Sequence, residues 1–502
     1  MGKNQLILAH DIGTSGNKAT LFNRYGEIIA SETFSYQTYY MDSNHVEQNA
    51  NDWWEAVCIT SKSIMKAAKV TREGIACITF SGQMMGVVPV DKNANALRRA
   101  IIWADTRADE IIKRILEEND LNTLYRLTGN RVSSNYSAAK IGWLKQYEPT
   151  TYRGTYKFLQ AKDFLVAKLT GRFATDYSDA SGTNLLDIEE KQWSSELIDI
   201  FQLEDEKLPE ILSSTTVAGF VHRKAAEKTG LAEGTPVVMG GADGSCAAMG
   251  AGVLEEGDIF NYIGSSSWIS LASNRPFFDG DMVTFNFVHV DESKYTPIGT
   301  MQTAGSAIDW FTNHLYQEMK EGNLYEQMNS EASSSEIGAN GLMFMPYLLG
   351  ERSPWWNPEV RGAFLGLSIN HTRYDMARAV LEGVSYNLKV IFDTFKHKKD
   401  NINEMWLFGG GANSELWCQM LADMYDMNIK VPYQVDETTS MGAAIVGGVG
   451  VGLLKDFTVA KDWCKTRAEY EPESKSVKKY VDEQQKFIQY YKALAPVYSK
   501  WS

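Results

Sequence analysis

Short apolar runs, each followed by a glycine-rich polar turn, open the chain and recur in its second half. Residues 6–9 and 19–22 are apolar and flank the polar segment 11–16, which predicts a strand, a tight turn and a second strand. Residues 27–34 predict a third strand, which completes an antiparallel meander. Residues 259–267 repeat the order of strand, glycine turn and hydroxyl cluster. This similarity predicts that one unit of meander plus helices is duplicated within the chain.

Buried strands alternate with helices between and after the two meanders, which predicts an α/β fold. Further strands are expected at residues 75–80, 100–103, 236–239 and 428–431, and from residue 405 into the glycines that follow. Helices are expected at residues 53–68, 110–118, 137–147, 162–169 and 415–425, and from residue 438. Asn51 or Asp52 is the expected N-cap of the first helix. The charged tail beyond Lys455 predicts a helical appendage on the outside of the molecule.

Length and charge restrict the class of protein. A chain of 502 residues is long for one core, so two large domains are expected. The net charge of −14 argues against nucleic acid and anionic membrane surfaces as partners. Five widely spaced cysteines without metal-binding spacing predict reduced thiols. The first strand begins without a preceding signal peptide, and the weakly polar run 441–454 is too short to span a bilayer, so we expect a cytoplasmic protein.

Four turns that combine glycine with hydroxyl or amide side chains are expected at strand ends, at residues 13–16, 240–244, 264–267 and 409–413. None is a Walker A loop or a Rossmann fingerprint. Together they predict a nucleotide held between two halves, with phosphates against the turns and adenosine near the last glycine triplet. In the first turn, Thr14 and Ser15 suit phosphate, and Asp11 stands where a phosphate-bound Mg²⁺ would sit. Taken alone, an ordinary glycine hairpin would show the same pattern.

Asp243 is the carboxylate with the most informative surroundings. It lies between two glycines, after a buried strand and at the start of a helix. An aspartate at this place is often only the N-cap of the helix. Phosphoryl transfer to an alcohol, however, requires a base near the γ-phosphate, and an acid beside phosphate-binding amides can accept the hydroxyl proton. Both interpretations remain open at this point.

Six ordered segments resemble the FGGY family of carbohydrate kinases. They are residues 11–16, 136–144, 240–244, 350–354, 361–367 with 377–382, and 409–413. The resemblance implies two ribonuclease-H-like domains of the actin/hexokinase/Hsp70 ATPase type, with ATP and sugar in the cleft between them. It implies an N-terminal domain over residues 1–251 and a C-terminal, nucleotide-binding domain over residues 252–455. Residues 456–502 would form a helical extension.

The resemblance also implies roles for individual residues. Asp243 corresponds to the catalytic base, and Asp11 to the acid that organises Mg²⁺. The residues implied for ATP binding are Thr14, Ser15, Ser265, Gly305, Gly410, Gly411 and Asn413. The residues implied for substrate binding are Gln83, Met84, Met85, Trp103 and Asp105, together with Asp243.

Within the family, residues 81–86, 103–105 and 350–354 are most similar to xylulose kinases, which implies ATP-dependent conversion of D-xylulose to D-xylulose 5-phosphate. Two positions depart from that pattern, because Met85 replaces a usual histidine and Gly244 a usual Asn or Gln. Another substrate therefore stays open: L-xylulose, ribulose, erythritol, glycerol or gluconate. A non-catalytic, sugar-binding regulator is the alternative of a different class, and the presence of both aspartates argues against it. Whether the chain forms a homodimer stays open.

Several further side chains have plausible structural explanations. Trp53 and Trp54 begin a helix and are expected in the core. Trp355 and Trp356 follow a proline and are expected in a surface loop or an interface. Lys140 and Trp143 are expected to serve packing, and the seven histidines show no metal-binding spacing.

Overall fold

A computed structural model describes residues 5–41, 44–316, 323–397, 402–498 and 500 of the protein. The strands of the first half are β1 (Leu6–Ile12), β2 (Gly16–Phe22), β3 (Ile28–Ser35), β4 (Thr38–Met41), β5 (His45–Gln48), β6 (Ile75–Gly82), β7 (Val88–Val90), β8 (Ala100–Ile101), β9 (Lys157–Leu159), β10 (Ala174–Asp176), β11 (Leu186–Asp187), β12 (Gln192–Trp193), β13 (Glu210–Leu212), β14 (Val217–Phe220), β15 (Pro236–Val238) and β16 (Gly241–Ala242). Its helices are α1 (Ala50–Ala67), α2 (Asp109–Glu118), α3 (Leu121–Thr128), α4 (Ser137–Tyr147), α5 (Pro149–Gly154), α6 (Ala161–Thr170), α7 (Tyr177–Ser181), α8 (Ser195–Ile200), α9 (Arg223–Thr229) and α10 (Asp243–Gly250).

The strands of the second half are β17 (Ile259–Ile263), β18 (Ser267–Leu271), β19 (Phe285–Val288), β20 (Tyr295–Met301), β21 (Met343–Met345), β22 (Ala363–Leu365), β23 (Glu404–Phe408), β24 (Asn428–Pro432) and β25 (Thr466–Tyr470). Its helices are α11 (Gly305–Leu315), α12 (Leu324–Ser333), α13 (Arg373–Lys396), α14 (Glu415–Tyr425), α15 (Thr438–Gly450), α16 (Val459–Trp463) and α17 (Ser474–Tyr498).

The two large sheets share one topology. In the first sheet, β1, β2 and β3 form an antiparallel meander, β6 and β15 run parallel to β1, and β14 is antiparallel at the edge. In the second sheet, β17, β18 and β20 form the meander, β23 and β24 run parallel to β17, and β25 is antiparallel at the edge. The expected α/β class and the expected duplication are therefore confirmed.

Helices α10 and α15 cross where the two halves meet, and their backbones are in direct contact. A Cβ atom added to Gly442 in α15 would lie 1.9 Å from the carbonyl oxygen of Cys246. A Cβ atom added to Gly250 in α10 would likewise lie 1.9 Å from the carbonyl oxygen of Thr438. Only glycine permits this approach. Side chains of both helices also share an apolar cluster with β1 and β6, so the crossing joins the two halves.

The start of α1 differs from the expectation by a few residues. Asn49 is its N-cap and accepts a hydrogen bond from the backbone N–H of Asn51 at 3.2 Å, so neither Asn51 nor Asp52 has that role. The helix begins earlier because the first side chain able to cap it lies immediately after β5. Trp53 is 1% exposed, which confirms its expected place in the core.

The tail beyond Lys455 is built into the second half, which corrects the expectation of an external appendage. β25 pairs with β24 and forms an edge of the second sheet. α17 contributes Tyr480, Phe487 and Tyr491 to the same apolar core as α13 and α14. The tail therefore covers apolar surface that would otherwise face water.

The tryptophan pair after Pro354 lies in a loop, as expected, but both indoles are half-buried and packed against neighbouring rings. The indole of Trp355 stacks on the ring of Tyr491 with centroids 3.8 Å apart, and its Nε1–H donates to the Tyr347 hydroxyl at 2.8 Å. Trp356 packs edge-on against Phe285, with centroids 5.4 Å apart. Trp355 thus fixes α17 to the body of the second half.

All five cysteine thiols are free in the part of the chain that the structure describes, and four of them are buried. Among the same residues, no helix has both the length and the apolar character that crossing a membrane requires.

Candidate active site

Three strands of the first sheet have their carboxyl ends on the same side of the sheet, and their register brings predicted site residues together there. Asp11 in β1 pairs with Ser81 in β6, and Ser81 pairs with Gly241 in β16. Gln83 lies two residues after Ser81 in the chain, and Asp243 lies two residues after Gly241. Ligands of open α/β sheets bind beyond the carboxyl ends of parallel strands. This side of the sheet therefore combines the first glycine turn, the loop after β6 and the turn that begins α10.

Asp11 is bonded to the other half of the molecule. The hydroxyl of Thr439, in the first turn of α15, donates to its Oδ2 at 2.7 Å. Lys18 lies nearby and forms an ion pair with Glu437 at 2.6 Å. Burial raises the pKa of Asp11, and the Thr439 hydrogen bond and the charge of Lys18 only partly oppose that rise. A cation bound next to Asp11 would consequently stabilise its charged form.

Asp243 is the first residue of α10, and its side chain does not cap that helix. The N-cap position belongs to Ala242, and the Asp243 carboxylate accepts a hydrogen bond from the backbone N–H of Gly244 at 2.7 Å. Burial, followed by the nearby charge of Asp11, raises the pKa of Asp243 to about 7. A carboxylate with a pKa near neutral is well suited to accept a proton.

A buried ionic cluster supports the turn before Asp243, and sequence reasoning did not anticipate it. Ser178 accepts a hydrogen bond from the backbone N–H of Ala242 at 2.9 Å and donates to Asp176 at 2.5 Å. Asp176 also pairs with the fully buried ammonium of Lys162 at 2.8 Å. Two more buried carboxylates contact that ammonium, those of Asp163 at 2.7 Å and Asp179 at 3.0 Å. The cluster fixes the backbone from which Asp243 projects.

The predicted phosphate turn is connected to the predicted sugar site. Trp103 donates its indole N–H to the Thr14 hydroxyl at 2.9 Å. Gln48 donates to the Thr14 carbonyl oxygen at 2.6 Å, and Tyr36 donates to that of Gly13 at 2.5 Å. The side chain of Ser15 is exposed. The turn is thus held from behind while its outer face stays accessible.

The loop after β6 presents one unpaired polar atom and two thioethers. Gln83 is 3% exposed and donates to the side-chain oxygen of Gln48 at 2.8 Å. Its own side-chain oxygen is buried and has no partner among the residues described. Met84 is buried in an apolar cluster, against which Met85 packs from its edge. A sugar hydroxyl could satisfy the Gln83 oxygen, whereas the thioethers offer only apolar contact and weak acceptors.

Asp105 is fully buried and its oxygens are occupied, which contradicts the expectation that it contacts substrate. Its carboxylate accepts hydrogen bonds from the backbone N–H groups of Val46 and Arg107 at 2.5 and 3.0 Å. It also pairs with the Arg107 guanidinium at 2.7 Å. The sequence offered an acid close to Trp103, but the neighbouring arginine takes that acid into a structural ion pair.

A cavity of about 530 Å³ in the second half brings together five of the seven residues predicted to bind ATP, all except Thr14 and Ser15. Its lining includes Ser265, Gly305, Gly410, Gly411 and Asn413, all of which the sequence singled out. It also includes Asp309, Tyr325, Asn329 and Trp417, which sequence reasoning missed. These residues lie on the helices α11, α12 and α14, outside the glycine turns, so only the fold reveals them.

Close backbone contact shapes the floor of this cavity. The backbone N–H of Gly305 donates to the Gly264 carbonyl oxygen at 2.8 Å, and a Cβ atom at Gly305 would lie 2.4 Å from the same oxygen. The tail takes part as well, because Arg467 in β25 donates to the Ala412 carbonyl oxygen at 3.1 Å. Both ends of the second half therefore hold the loops around the cavity.

The carboxylates fit a magnesium ion bound together with a nucleotide. In the part of the chain that the structure describes, no group of three or more His, Cys, Asp or Glu side chains could hold a metal by itself. Mg²⁺ usually takes one or two carboxylates and completes its shell with phosphate oxygens and water. Asp11 and Asp243 are near enough for the charge of Asp11 to raise the pKa of Asp243, which a cation would relieve. Both aspartates therefore match the donor set that Mg²⁺ requires.

Thr439 and Gln48 are the residues near the site that sequence reasoning missed most clearly. Thr439 belongs to a run of hydroxyl residues that begins a glycine-rich helix, and this run was the only signal available. Gln48 ends β5 and accepts the indole N–H of Trp53 at 3.0 Å. Its role depends on strand pairing, which the local sequence does not encode.

Comparison with known proteins identifies the family. The model of the FGGY family of carbohydrate kinases, N-terminal domain, matches residues 6–250, and that of the C-terminal domain matches residues 260–451. The xylulose kinase of Staphylococcus xylosus is 33% identical over 95% of this chain and 97% of its own. The gluconokinase of Bacillus licheniformis is 29% identical over 98% of this chain and 97% of its own. The crystal structure of ligand-bound xylulose kinase from Lactobacillus acidophilus shares the fold, with a TM-score of 0.93, 24% identity and coverage of 99% and 100%.

Proposed function

Because this chain belongs to the FGGY family of carbohydrate kinases, we propose that it transfers the γ-phosphoryl group of ATP to O5 of D-xylulose, with Asp243 as the base. That this chain is a sugar kinase, and thus a phosphotransferase, follows from its family. One observation carries the role of Asp243 as the base. Asp243 has a pKa raised to about 7 and follows β16, which pairs with β6, so it lies beside the loop of Gln83 and on the same side of the sheet as the phosphate turn after β1.

In the proposed reaction, the Asp243 carboxylate accepts the proton of the sugar hydroxyl. The hydroxyl oxygen forms a bond to the γ-phosphorus, and the bond from that phosphorus to the β,γ-bridging oxygen breaks, which releases ADP. Phosphoryl transfer depends mainly on positioning and on stabilisation of charge. The ionic cluster around Lys162 positions Asp243. The hydrogen bond from Trp103 to Thr14 fixes the position of the sugar site relative to the phosphate turn.

Asp11 would hold Mg²⁺ together with the nucleotide phosphates, with Asp243 beside it. The bound cation would neutralise charge on the β- and γ-phosphates. The Thr439 hydroxyl keeps the Asp11 side chain oriented toward the junction of the two halves. The adenosine part is assigned to the cavity lined by Ser265, Gly305 and Asn413.

D-xylulose is favoured by the similarity to xylulose kinases over nearly the whole chain. The unpaired oxygen of Gln83 supports a substrate with a hydroxyl donor at that point. Met85 offers no strong donor or acceptor where the resemblance implies histidine, so the pocket is expected to discriminate less sharply among hydroxylated substrates.

A sugar acid such as gluconate is the second candidate, and Arg352 is the observation that favours it. Its guanidinium lies 5.9 Å from the ring centre of Trp103, and its Nε–H donates to Gln302 at 2.8 Å. Its two terminal nitrogens have no hydrogen-bond partner among the residues that the structure describes. A guanidinium with two free NH2 groups matches a carboxylate well. The gluconokinase relative agrees with this alternative.

The deciding experiment measures ADP formation with Mg·ATP over a panel of D-xylulose, L-xylulose, D-ribulose, erythritol, glycerol and D-gluconate. We expect the highest kcat/KM with D-xylulose. Asp243→Asn should lower kcat by about 10²–10⁴-fold. Its affinity for ATP, measured by titration calorimetry, should change little because the phosphate turn is intact. A preference for gluconate would select the second candidate, and near-normal kcat in the variant would contradict the role of Asp243.

A further inference from the structure

We propose that Lys140 is a positioning residue, whose buried ammonium group fixes the backbone of the substrate loop at Met85 and, through Asn135, the backbone at Trp103. This inference rests on the proposed function, which assigns Met85 and Trp103 to the sugar site. The sequence alone suggested only a packing role for Lys140, so the hydrogen bonds change its interpretation.

The ammonium of Lys140 donates to backbone oxygens at the site. Lys140 lies in the first turns of α4 and is fully buried. Its Nζ donates to the carbonyl oxygen of Met85 at 2.8 Å and to that of Asn135. Burial lowers the pKa of Lys140 to about 7, and the charges of Asp105 and Arg107 act on that pKa in opposite directions. The ammonium thus has two carbonyl partners and no ion pair among the described residues.

Packing alone does not account for a lysine at this position. An ammonium loses its hydration when it is buried, and that loss is unfavourable unless hydrogen bonds compensate for it. A methionine would fill a similar volume with no such loss. The specific contribution of Lys140 is therefore the pair of hydrogen bonds that it donates to the two carbonyl groups.

The carbonyl group of Met85 needs an anchor because the loop turns sharply there. Met85 has φ 63°, in the left-handed region that residues other than glycine seldom adopt. Ser137, at the start of the same helix, donates its hydroxyl to the carbonyl oxygen of Gly86 at 3.0 Å. Helix α4 therefore holds two successive carbonyl groups of the substrate loop and stabilises its strained backbone.

The second carbonyl partner extends the effect to Trp103. Asn135, whose carbonyl oxygen Lys140 holds, donates its side-chain amide to the carbonyl oxygen of Trp103 at 2.9 Å. Trp103 in turn donates its indole N–H to Thr14. Loss of the ammonium should displace Met85 and Trp103 first and the phosphate turn less, since other bonds hold Thr14. Sugar binding should therefore suffer more than nucleotide binding.

The test compares Lys140→Met with Lys145→Met, an exposed lysine on the same helix, in the full-length protein. Hydrogen–deuterium exchange of segments 83–87 and 103–107 is measured without ligands, and KM and kcat are measured with D-xylulose and ATP. We expect Lys140→Met to exchange faster in both segments and to raise the KM for D-xylulose at least about tenfold, with the KM for ATP nearly unchanged. Lys145→Met should match the wild type.

Each outcome decides the proposal. Unchanged exchange in Lys140→Met, or faster exchange with an unchanged KM for the sugar, would overturn it. If the variant does not fold, Ser137→Ala, which removes only the bond to Gly86, should speed exchange in segment 83–87 alone and raise the KM for D-xylulose by less, and no effect on that segment would also overturn the proposal. Failure of the wild type to phosphorylate any sugar would refute the proposed function instead, while the exchange measurement would still decide whether Lys140 anchors the loop.

Discussion

Asp11 and Asp243 are two acids that the fold makes difficult to ionise. Burial raises the pKa of both, and the charge of Asp11 raises that of Asp243 further, to about 7. A carboxyl whose pKa is higher in the folded than in the unfolded state contributes stability at low pH, and this contribution is lost as the pH rises through the folded value. Features that suit Asp243 to accept a proton therefore lower the stability of the folded protein at neutral and alkaline pH.

Asp243→Asn should consequently raise the melting temperature at about pH 8, where wild-type Asp243 is ionised in a poorly solvated position. The amide removes the charge and keeps the size of the side chain. We expect an increase of at least about 2 °C at pH 8 that shrinks towards pH 5, where the wild-type carboxyl is protonated. Calorimetry over this pH range makes the measurement, with the exposed Asp281→Asn as the control variant. Equal melting temperatures of Asp243→Asn and wild type at pH 8 would contradict the raised pKa.

The residues that the sequence could identify are those whose surroundings are local. Thr14, Ser15 and Asp11 lie within one turn, and Asp243 lies between glycines, so composition and order were sufficient to select them. The prediction for Asp105 was wrong because Arg107, two residues later, forms an ion pair with it. Thr439 was missed because it belongs to the other half of the molecule and contacts Asp11 only in the folded chain. The roles of the selected residues remain predictions, although the structure brings most of them to one side of the first sheet and one cavity.

Met85→His tests whether the departure from the family pattern selects the substrate. Histidine tolerates the left-handed backbone at Met85 better than most residues do, so the loop should keep its shape. The imidazole adds a hydrogen-bonding group that the thioether lacks. We expect kcat/KM for D-xylulose to rise about tenfold relative to the other sugars of the panel, the value of roughly one hydrogen bond. A loss of D-xylulose activity in Met85→His would show that Met85 serves packing.

At the level of elements, the sequence predicted strands and helices well where the pattern was local. The predicted bounds of α14 agree with the structure, and those of β3 and β6 differ by one or two residues. The tail was misjudged because its charged residues dominate the local composition. Its apolar side chains find their partners only in the assembled second half, as the stacking of Tyr491 on Trp355 illustrates.

Gly442→Ala should separate α10 from α15 and destabilise the protein. Alanine normally stabilises a helix relative to glycine, by about 1 kcal/mol. Here the added methyl group would lie 1.9 Å from the carbonyl oxygen of Cys246, and backbone atoms cannot yield as a flexible side chain can. We expect the free energy of unfolding to fall by about 2 kcal/mol or more, and ADP formation to fall with it, since Thr439 shares this helix.

Gly142→Ala in α4 is the matched control for Gly442→Ala. Its Cβ would lie 3.4 Å from a methyl group of Ile111, an ordinary contact, so urea unfolding should show equal or slightly higher stability. A Gly442→Ala protein as stable as this control would refute the tight crossing of the two helices.

For the molecule as a whole, the proposed arrangement divides the substrates between the two halves. The phosphate turn, Asp243 and the sugar loop belong to the first sheet, and the cavity assigned to adenosine belongs to the second half. The duplication was predictable because each copy opens with a similar strand and glycine turn. The contacts between the two copies were not predictable, because they involve residues such as Asp11 and Thr439 that are hundreds of positions apart in the chain. The domain boundaries remain a prediction.

Sugar and nucleotide together should draw the two halves closer. A kinase must exclude water from the γ-phosphoryl group, and closure of a cleft is the usual means. Arg352 of the second half already faces Trp103 of the first, whereas the tight contact of α10 with α15 favours rotation about the crossing over sliding.

Small-angle scattering on Asp243→Asn, which should form the complex without turnover, measures the change. A compact chain of this length has a radius of gyration of about 23 Å, and we expect D-xylulose with Mg·ATP to reduce it by roughly 1 Å. ATP alone should give a smaller change, because the contacts that the sugar would make with both halves are then missing. An unchanged radius with both ligands at saturation would rule out closure.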